Sequence, residues 1–216
     1  MREPAVRTFL IGYAVVIVPA VIAVLLTDRF ELHATINWHH TAPFDLFFKY
    51  GTHVADGSVP TILALVLLWK NWRAFLMVGV SVALSAIVAQ LLKHGVFPDM
   101  DRPSLFLDRM PGVRLVAGVE MHHHNSFPSG HTTAAYSMCL AFAVLIAQRV
   151  PAMALAFLAA GLGLSRVYLS QHFTEDVVAG ATIGTLTAYL VYRWLYVSPF
   201  ASRSWLERSP FRRQNQ

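Results

Sequence analysis

The chain has 216 residues, 56% of them hydrophobic and only 13% charged, with a mean hydropathy of +0.50. A water-soluble domain carries about a quarter charged residues, so this composition excludes a soluble globular fold and fits a chain dissolved in lipid. The formal net charge of +5 does not call for nucleic acid, because membrane topology accounts for it below.

A hydrocarbon core about 30 Å thick takes roughly 20 helical residues to cross. Residues 8–27 fit, with Pro19 the one breaker, and the run is too long for a cleaved signal and lacks a small-x-small site after it. Residues 28–53 mix Trp38, Phe44, Phe47 and Phe48 with charges and read as amphipathic segments at the membrane interface. His39 and His40, beside Trp38, read as interfacial residues. Residues 54–69 form a shorter second span interrupted by Asp56 and Pro60. Residues 72–97 form a third, with Lys93 and His94 at its far end. Residues 98–128 are a polar loop rich in Pro, Asp and Arg. Spans over 131–148, 150–168 and 177–196 complete six, ahead of a basic tail over 198–216. The expected fold is therefore all-α: a six-transmembrane-helix bundle with interfacial segments between the first two spans. With no repeat or linker, residues 1–216 read as a single integral-membrane domain. Cys139, the single cysteine, cannot form an internal disulfide.

Six spans put both termini on one side. That side collects ten Lys and Arg, including Arg212 and Arg213, against two acids, and the other side seven against ten. The positive-inside rule then places the termini in the cytoplasm, and the basic tail suits anionic headgroups. Trp69 and Trp72 suit the aromatic belt on the same side.

The outward ends of the spans hold polar residues that a scaffold would not need. Lys93 ends the third span, and Arg102-Pro103 follows it. Pro128-Ser129-Gly130-His131 opens the fourth, Ser165-Arg166 ends the fifth, His172 lies in the next turn, and Asp176 opens the sixth. All fall on one side by a topology drawn without reference to them. Lys93, Arg102 and Arg166 bring three positive charges to meet a phosphate's negative ones, Arg as a planar fork and Lys as a movable point charge. Ser129 and Gly130 stand at a helix N-terminus, where backbone N–H groups and the helix dipole favour an anion. Gly130 lets the backbone approach closely. His172 and Asp176, four residues apart, can bring a carboxylate to one imidazole nitrogen and leave the other to attack. His131 remains to protonate a leaving alkoxide.

At these residues the chain resembles the type 2 phosphatidic acid phosphatase superfamily of membrane lipid phosphatases. Its motifs Pro-Ser-Gly-His and Ser-Arg-x5-His-x3-Asp stand complete at 128–131 and 165–176. Its first motif, Lys-x6-Arg-Pro, departs: eight residues separate Lys93 from Arg102, and residues 95–101 are expected to absorb the extra two. The resemblance implies His172 as nucleophile, Asp176 as its partner and His131 as general acid. It implies Lys93, Arg102, Ser129, Gly130 and Arg166 as phosphate ligands, and no metal or other cofactor. The expected activity is hydrolysis of a lipid phosphate monoester or diphosphate at the periplasmic face of a bacterial inner membrane, through a phosphohistidine. Undecaprenyl diphosphate, phosphatidylglycerophosphate, phosphatidic acid and a lipid A phosphate all fit. The short chain resembles the bacterial members and so favours an envelope lipid.

Transfer of the phosphate to an acceptor hydroxyl instead of water would use the same residues. An anion or lipid transporter would want polar groups near the bilayer midplane, where these spans hold mainly Val, Leu, Ala and Phe. The motifs leave out His122-His123-His124 in the outer loop. Headgroup contact, a solvated loop, or a metal site helped by Glu120 are its alternatives.

Overall fold

The computed structural model describes residues 2–211, which are helical or irregular with no strand among them. Arg212 and Arg213, counted above with the cytoplasmic charges, lie outside the described residues. Eight α-helices follow in order: α1 (Arg2–Leu26), α2 (Arg29–Asn37), α3 (Ala42–Gly51), α4 (Ser58–Val66), α5 (Trp72–Leu91), α6 (Gly130–Ile146), α7 (Arg149–Tyr168) and α8 (Thr174–Tyr192). Six of them, α1 and α4 to α8, correspond to the six expected spans, and α2 and α3 to the interfacial segments. Helices are the answer lipid allows, because each backbone polar group is then satisfied within its own segment.

Three helical segments are long and apolar enough to cross a bilayer alone: Arg2–Leu26, Trp72–Val96 and Arg149–Tyr168. A fourth crossing results if Ala42–Ala55 and Ser58–Trp69, bent by 52° at their junction, are one broken span. Helix α6 is apolar but has only 17 residues, and α8 opens on Glu175 and Asp176. Ile11, Val15, Val18, Ile22, Ile87 and Leu186 stay exposed on the outer faces, as expected of an integral membrane protein whose solvent there is hydrocarbon.

Helix α6 sits at the centre, packed on α1, α5, α7 and α8. The α6–α8 seam is close because small residues line it. A Cβ added at Gly180 would lie 2.5 Å from the Ser129 carbonyl oxygen, and one at Gly184 would strike the Thr133 carbonyl. This is the small-xxx-small spacing that lets membrane helices approach backbone to backbone. Side-chain caps set the interfacial segments: Asp28 accepts from Phe30 and Glu31 N–H at the start of α2, and Thr41 from Phe44 N–H at the start of α3.

The two ends of the bundle differ. At one end Arg73, opening α5, donates to Glu207 (2.6 Å), the Ala201 carbonyl (2.7 Å) and the Leu195 carbonyl. These bonds, with buried Leu206, tie the first part of the basic tail beneath the helices. At the other end α5 and α7 finish while α6 and α8 begin, and every polar motif is there. Helix α5 does not run straight into the loop: residues 92–96 form a π-helical turn carrying Lys93. The Lys93 side chain is buried. Within the interfacial segment, the His40 ring is buried, stacked 4.0 Å from the Tyr168 ring and bonded to Asp45 at 2.9 Å, so it fastens α3 to the end of α7.

Candidate functional site

His172 lies in the turn between α7 and α8. The turn is fixed by backbone bonds from Gln171 and His172 N–H to the Arg166 carbonyl (2.9 and 3.1 Å). Ser170 there adopts a left-handed φ of 53°. Its hydroxyl is held by His33 Nε2 (3.1 Å) and Asn37 Nδ2 (3.2 Å) of α2. The interfacial helix thus clamps the turn from outside.

The His172–Asp176 spacing does bring carboxylate to imidazole, with Oδ2 3.4 Å from Nδ1. That is longer than an ordinary hydrogen bond, because the same oxygen accepts from Ser126 Oγ at 2.5 Å and from Phe173 N–H at 2.9 Å. Ser126 Oγ is itself 3.5 Å from His172 Nδ1. Asp176 therefore serves its helix start as well as the histidine. Both residues are essentially inaccessible, at 1% and 0% exposure. Burial, reinforced by the positive charges of Arg102, Arg166 and Lys93, holds the His172 pKa well below the usual imidazole range.

The three cations converge: Lys93 lies within electrostatic reach of Arg102, Arg166 and Asp176. Arg166 gives Nη1 to Thr52 Oγ1 at 2.8 Å, while its buried Nε has no protein partner. Arg102 spends donors on the carbonyls of His124 (2.8 Å) and Gln171 (3.2 Å), pinning the outer loop to the turn that carries His172. Ser129 is the N-cap of α6, its Oγ accepting from Thr132 Oγ1 at 2.9 Å, and its N–H donates to the Asp176 carbonyl at 3.0 Å. A Cβ built on Gly130 would meet no atom within 4 Å, so the backbone there is open to close approach.

His131 and Arg166 line a cavity of about 380 Å³ whose outer wall is Lys49, His53, Asp56, Glu120 and His122. His131 Nε2 is 2.6 Å from Asp56 Oδ1. The sequence reading took Asp56 as an interruption of the second span and passed over Thr52, His53 and Ser126. A carboxylate in an otherwise apolar stretch was the signal available for Asp56; Ser126 gave none.

The three consecutive histidines diverge. His124 bonds Asp101 at 2.7 Å, His123 is 3.0 Å from Ser104 Oγ, and His122 lines the cavity. Among the described residues no three His, Cys, Asp or Glu side chains converge as a metal ion would need.

Residues 74–199 match the family model of the PAP2 superfamily. The chain is 33% identical over 132 residues to a lipid A 1-phosphatase of Rhizobium johnstonii, covering 58% of this chain and 51% of that one. It is 30% identical over 145 residues to the putative undecaprenyl-diphosphatase YbjG of Escherichia coli, covering 62% and 67%. A lipid phosphate phosphatase of Arabidopsis thaliana is 35% identical over 95 residues, or 38% of this chain and 29% of that one. The chain thus spans about half the length of the Rhizobium johnstonii relative and under a third of the Arabidopsis thaliana one. Among solved structures, Aquifex aeolicus LpxE superposes with a TM-score of 0.65 at 25% identity, over 76% of this chain and 94% of that one. A PAP2-type phosphatidylglycerolphosphate phosphatase from Bacillus subtilis gives 0.63 at 20% identity, over 93% and 100%, a likeness of fold.

Proposed function

Because the chain belongs to the PAP2 superfamily, we propose that it is a lipid phosphatase that works through a phosphohistidine at His172. The observation that carries this reading is the buried imidazole of His172, faced by Asp176 on one nitrogen and within reach of the charges of Lys93, Arg102 and Arg166. A nucleophile must be unprotonated, and phosphate must be neutralised before a nitrogen can approach phosphorus. The site meets both needs with its own side chains, so the proposed reaction needs no divalent metal.

In the first step Nε2 of His172 attacks phosphorus, the P–N bond forms, and the ester P–O bond breaks. His131 gives its proton to the departing oxygen. In the second step water attacks the phosphohistidine, returns a proton to His131, and inorganic phosphate leaves as the P–N bond breaks. Lys93, Arg102, Arg166 and the α6 N-terminus at Ser129–Gly130 hold the phosphoryl oxygens. The substrate class is a membrane lipid with a phosphate or diphosphate headgroup, and a bacterial envelope lipid suits the relatives' names. The charge asymmetry of the loops supports a site on the periplasmic side.

Leaving-group chemistry tests the two histidine roles. His172→Ala is inactive on every substrate. His131→Ala loses about 10²–10⁴-fold on a lipid phosphate, the usual worth of a general acid. It loses far less on 4-nitrophenyl phosphate, whose leaving group is stable unprotonated. Equal failure of both variants on both substrates would overturn the assignment.

A further inference from the structure

Asp56 stands outside every family motif, at the break between the turn Thr52–Ala55 and helix α4. Its carboxylate does not cap α4, whose start has no side-chain cap. Instead each oxygen is committed to an imidazole: Oδ1 to His131 Nε2 and Oδ2 to His53 Nδ1, both at 2.6 Å. The turn is held in place over the site by Thr52, which accepts from Arg166 Nη1 (2.8 Å) and Ser165 Oγ (3.1 Å). A carboxylate on an apolar segment is costly, and its only protein partners besides His131 are a single, largely exposed histidine.

We propose that Asp56 is the positioning residue of the general acid. It fixes the His131 ring through Nε2, favours the protonated form of the ring, and leaves Nδ1–H as the proton that meets the leaving oxygen. This is the orienter relation of a catalytic triad, used here on the acid, with His53 steadying the far oxygen at the cavity mouth. The inference rests on the reading of His131 as the general acid.

The experiment compares Asp56→Asn, Asp56→Glu, His131→Ala and the combined Asp56→Asn/His131→Ala protein. Each is purified in detergent and assayed on a lipid phosphate and on 4-nitrophenyl phosphate, with the thermal midpoint as a check of folding. Asp56→Asn is expected to slow the lipid reaction by about tenfold or more while changing the aryl reaction by less than about threefold. Asp56→Glu recovers part of the loss, and the combined protein is no slower than His131→Ala alone. A purely structural role would depress both substrates together and would add to the His131 effect; either result overturns the inference. If His131→Ala shows the leaving-group gap and Asp56→Asn does not, the inference fails and the general-acid reading stands. If His131→Ala shows no gap, the general-acid reading fails and the inference falls with it.

Discussion

Substituting Gly180 by Ala tests whether the α6–α8 seam sets the geometry of the site. The new Cβ would lie 2.5 Å from the Ser129 carbonyl oxygen, with Thr133 Oγ1 at 3.1 Å and Thr132 Cβ at 3.2 Å. The nearest obstacle is backbone, so no side chain can swing away. Restoring ordinary contact near 3.4 Å needs the helices to part by about 0.9 Å. The parting acts where Ser129 N–H bonds the Asp176 carbonyl, and it therefore separates the α6 N-terminus and His131 from His172 and Asp176. Two energies compete in stability. Alanine gains up to about 1 kcal/mol in helix propensity, and overpacking costs about 1–3 kcal/mol, leaving a net loss of about 0–2 kcal/mol. Activity has no such offset, because a displacement of about 1 Å between reacting groups costs on the order of 100-fold. Turnover of 4-nitrophenyl phosphate should thus collapse while the thermal midpoint in detergent moves by a few degrees. Gly161→Ala on α7 is the matched control. Its Cβ meets nothing within 4 Å, so it should leave turnover intact and gain up to about 1 kcal/mol. Full turnover in Gly180→Ala, or an equal loss in Gly161→Ala, would refute the reasoning.

Lys93→Ala should cost about 2–4 kcal/mol of transition-state stabilisation, or roughly a hundred- to thousand-fold in rate, if Lys93 acts as a phosphate donor. An effect below about threefold on turnover and Michaelis constant would show that the π-turn carries it out of the site. His33 supplies a pH dependence. Burial, reinforced by Arg29 and opposed by Asp176, pushes its pKa down to about 4 from 6.5. The unfolded chain therefore binds a proton in that window and the folded one does not. Stability is complete above pH 6.5 and falls as the pH drops toward 4, by about 3 kcal/mol in all. Thermal midpoints measured across this range should fall less steeply in His33→Gln than in the parent; parallel curves would remove His33 as a cause.

How much of this was legible depends on sequence distance. His172, Asp176, Ser129, Gly130 and His131 sit in short runs whose spacing survives folding, because a turn or helix start carries them as a unit. The same is true of the spans, since a long apolar run in lipid has little choice but helix. Asp56 and His131 are 75 residues apart, and Ser126 and Asp176 50. Those pairs exist because the 52–57 break folds over α6 and α7, and because the outer loop returns beneath Arg102. No local spacing encodes either path. The π-turn at Lys93 was hidden for a different reason: its five residues read as an ordinary helix end, and only packing against the site turns the lysine inward. The His40–Tyr168 stack was hidden because mixed aromatic and charged composition describes an interfacial helix without saying which ring it stacks upon.

Two of the imidazole–carboxylate pairs, His172–Asp176 and His131–Asp56, belong to the proposed site, and their surroundings differ in a way that suits the proposed chemistry. His172 and Asp176 have side chains 2% and 0% exposed, whereas His131 and Asp56 are both 34% exposed. A nucleophile gains from exclusion of water: a dry, cation-lined place keeps the imidazole unprotonated and keeps Nε2 free of competing donors. A general acid needs the opposite. On the proposed route it gives up a proton in the first step and recovers one from the attacking water in the second, so it must touch both the leaving oxygen and solvent. The 380 Å³ cavity supplies that contact to His131 and leaves His172 out of its lining. Here the difference is set by one structural fact: the 52–56 turn covers α6 with polar groups and an open cavity, while the 168–173 turn is sealed by α2 through His33, Asn37 and Ser170.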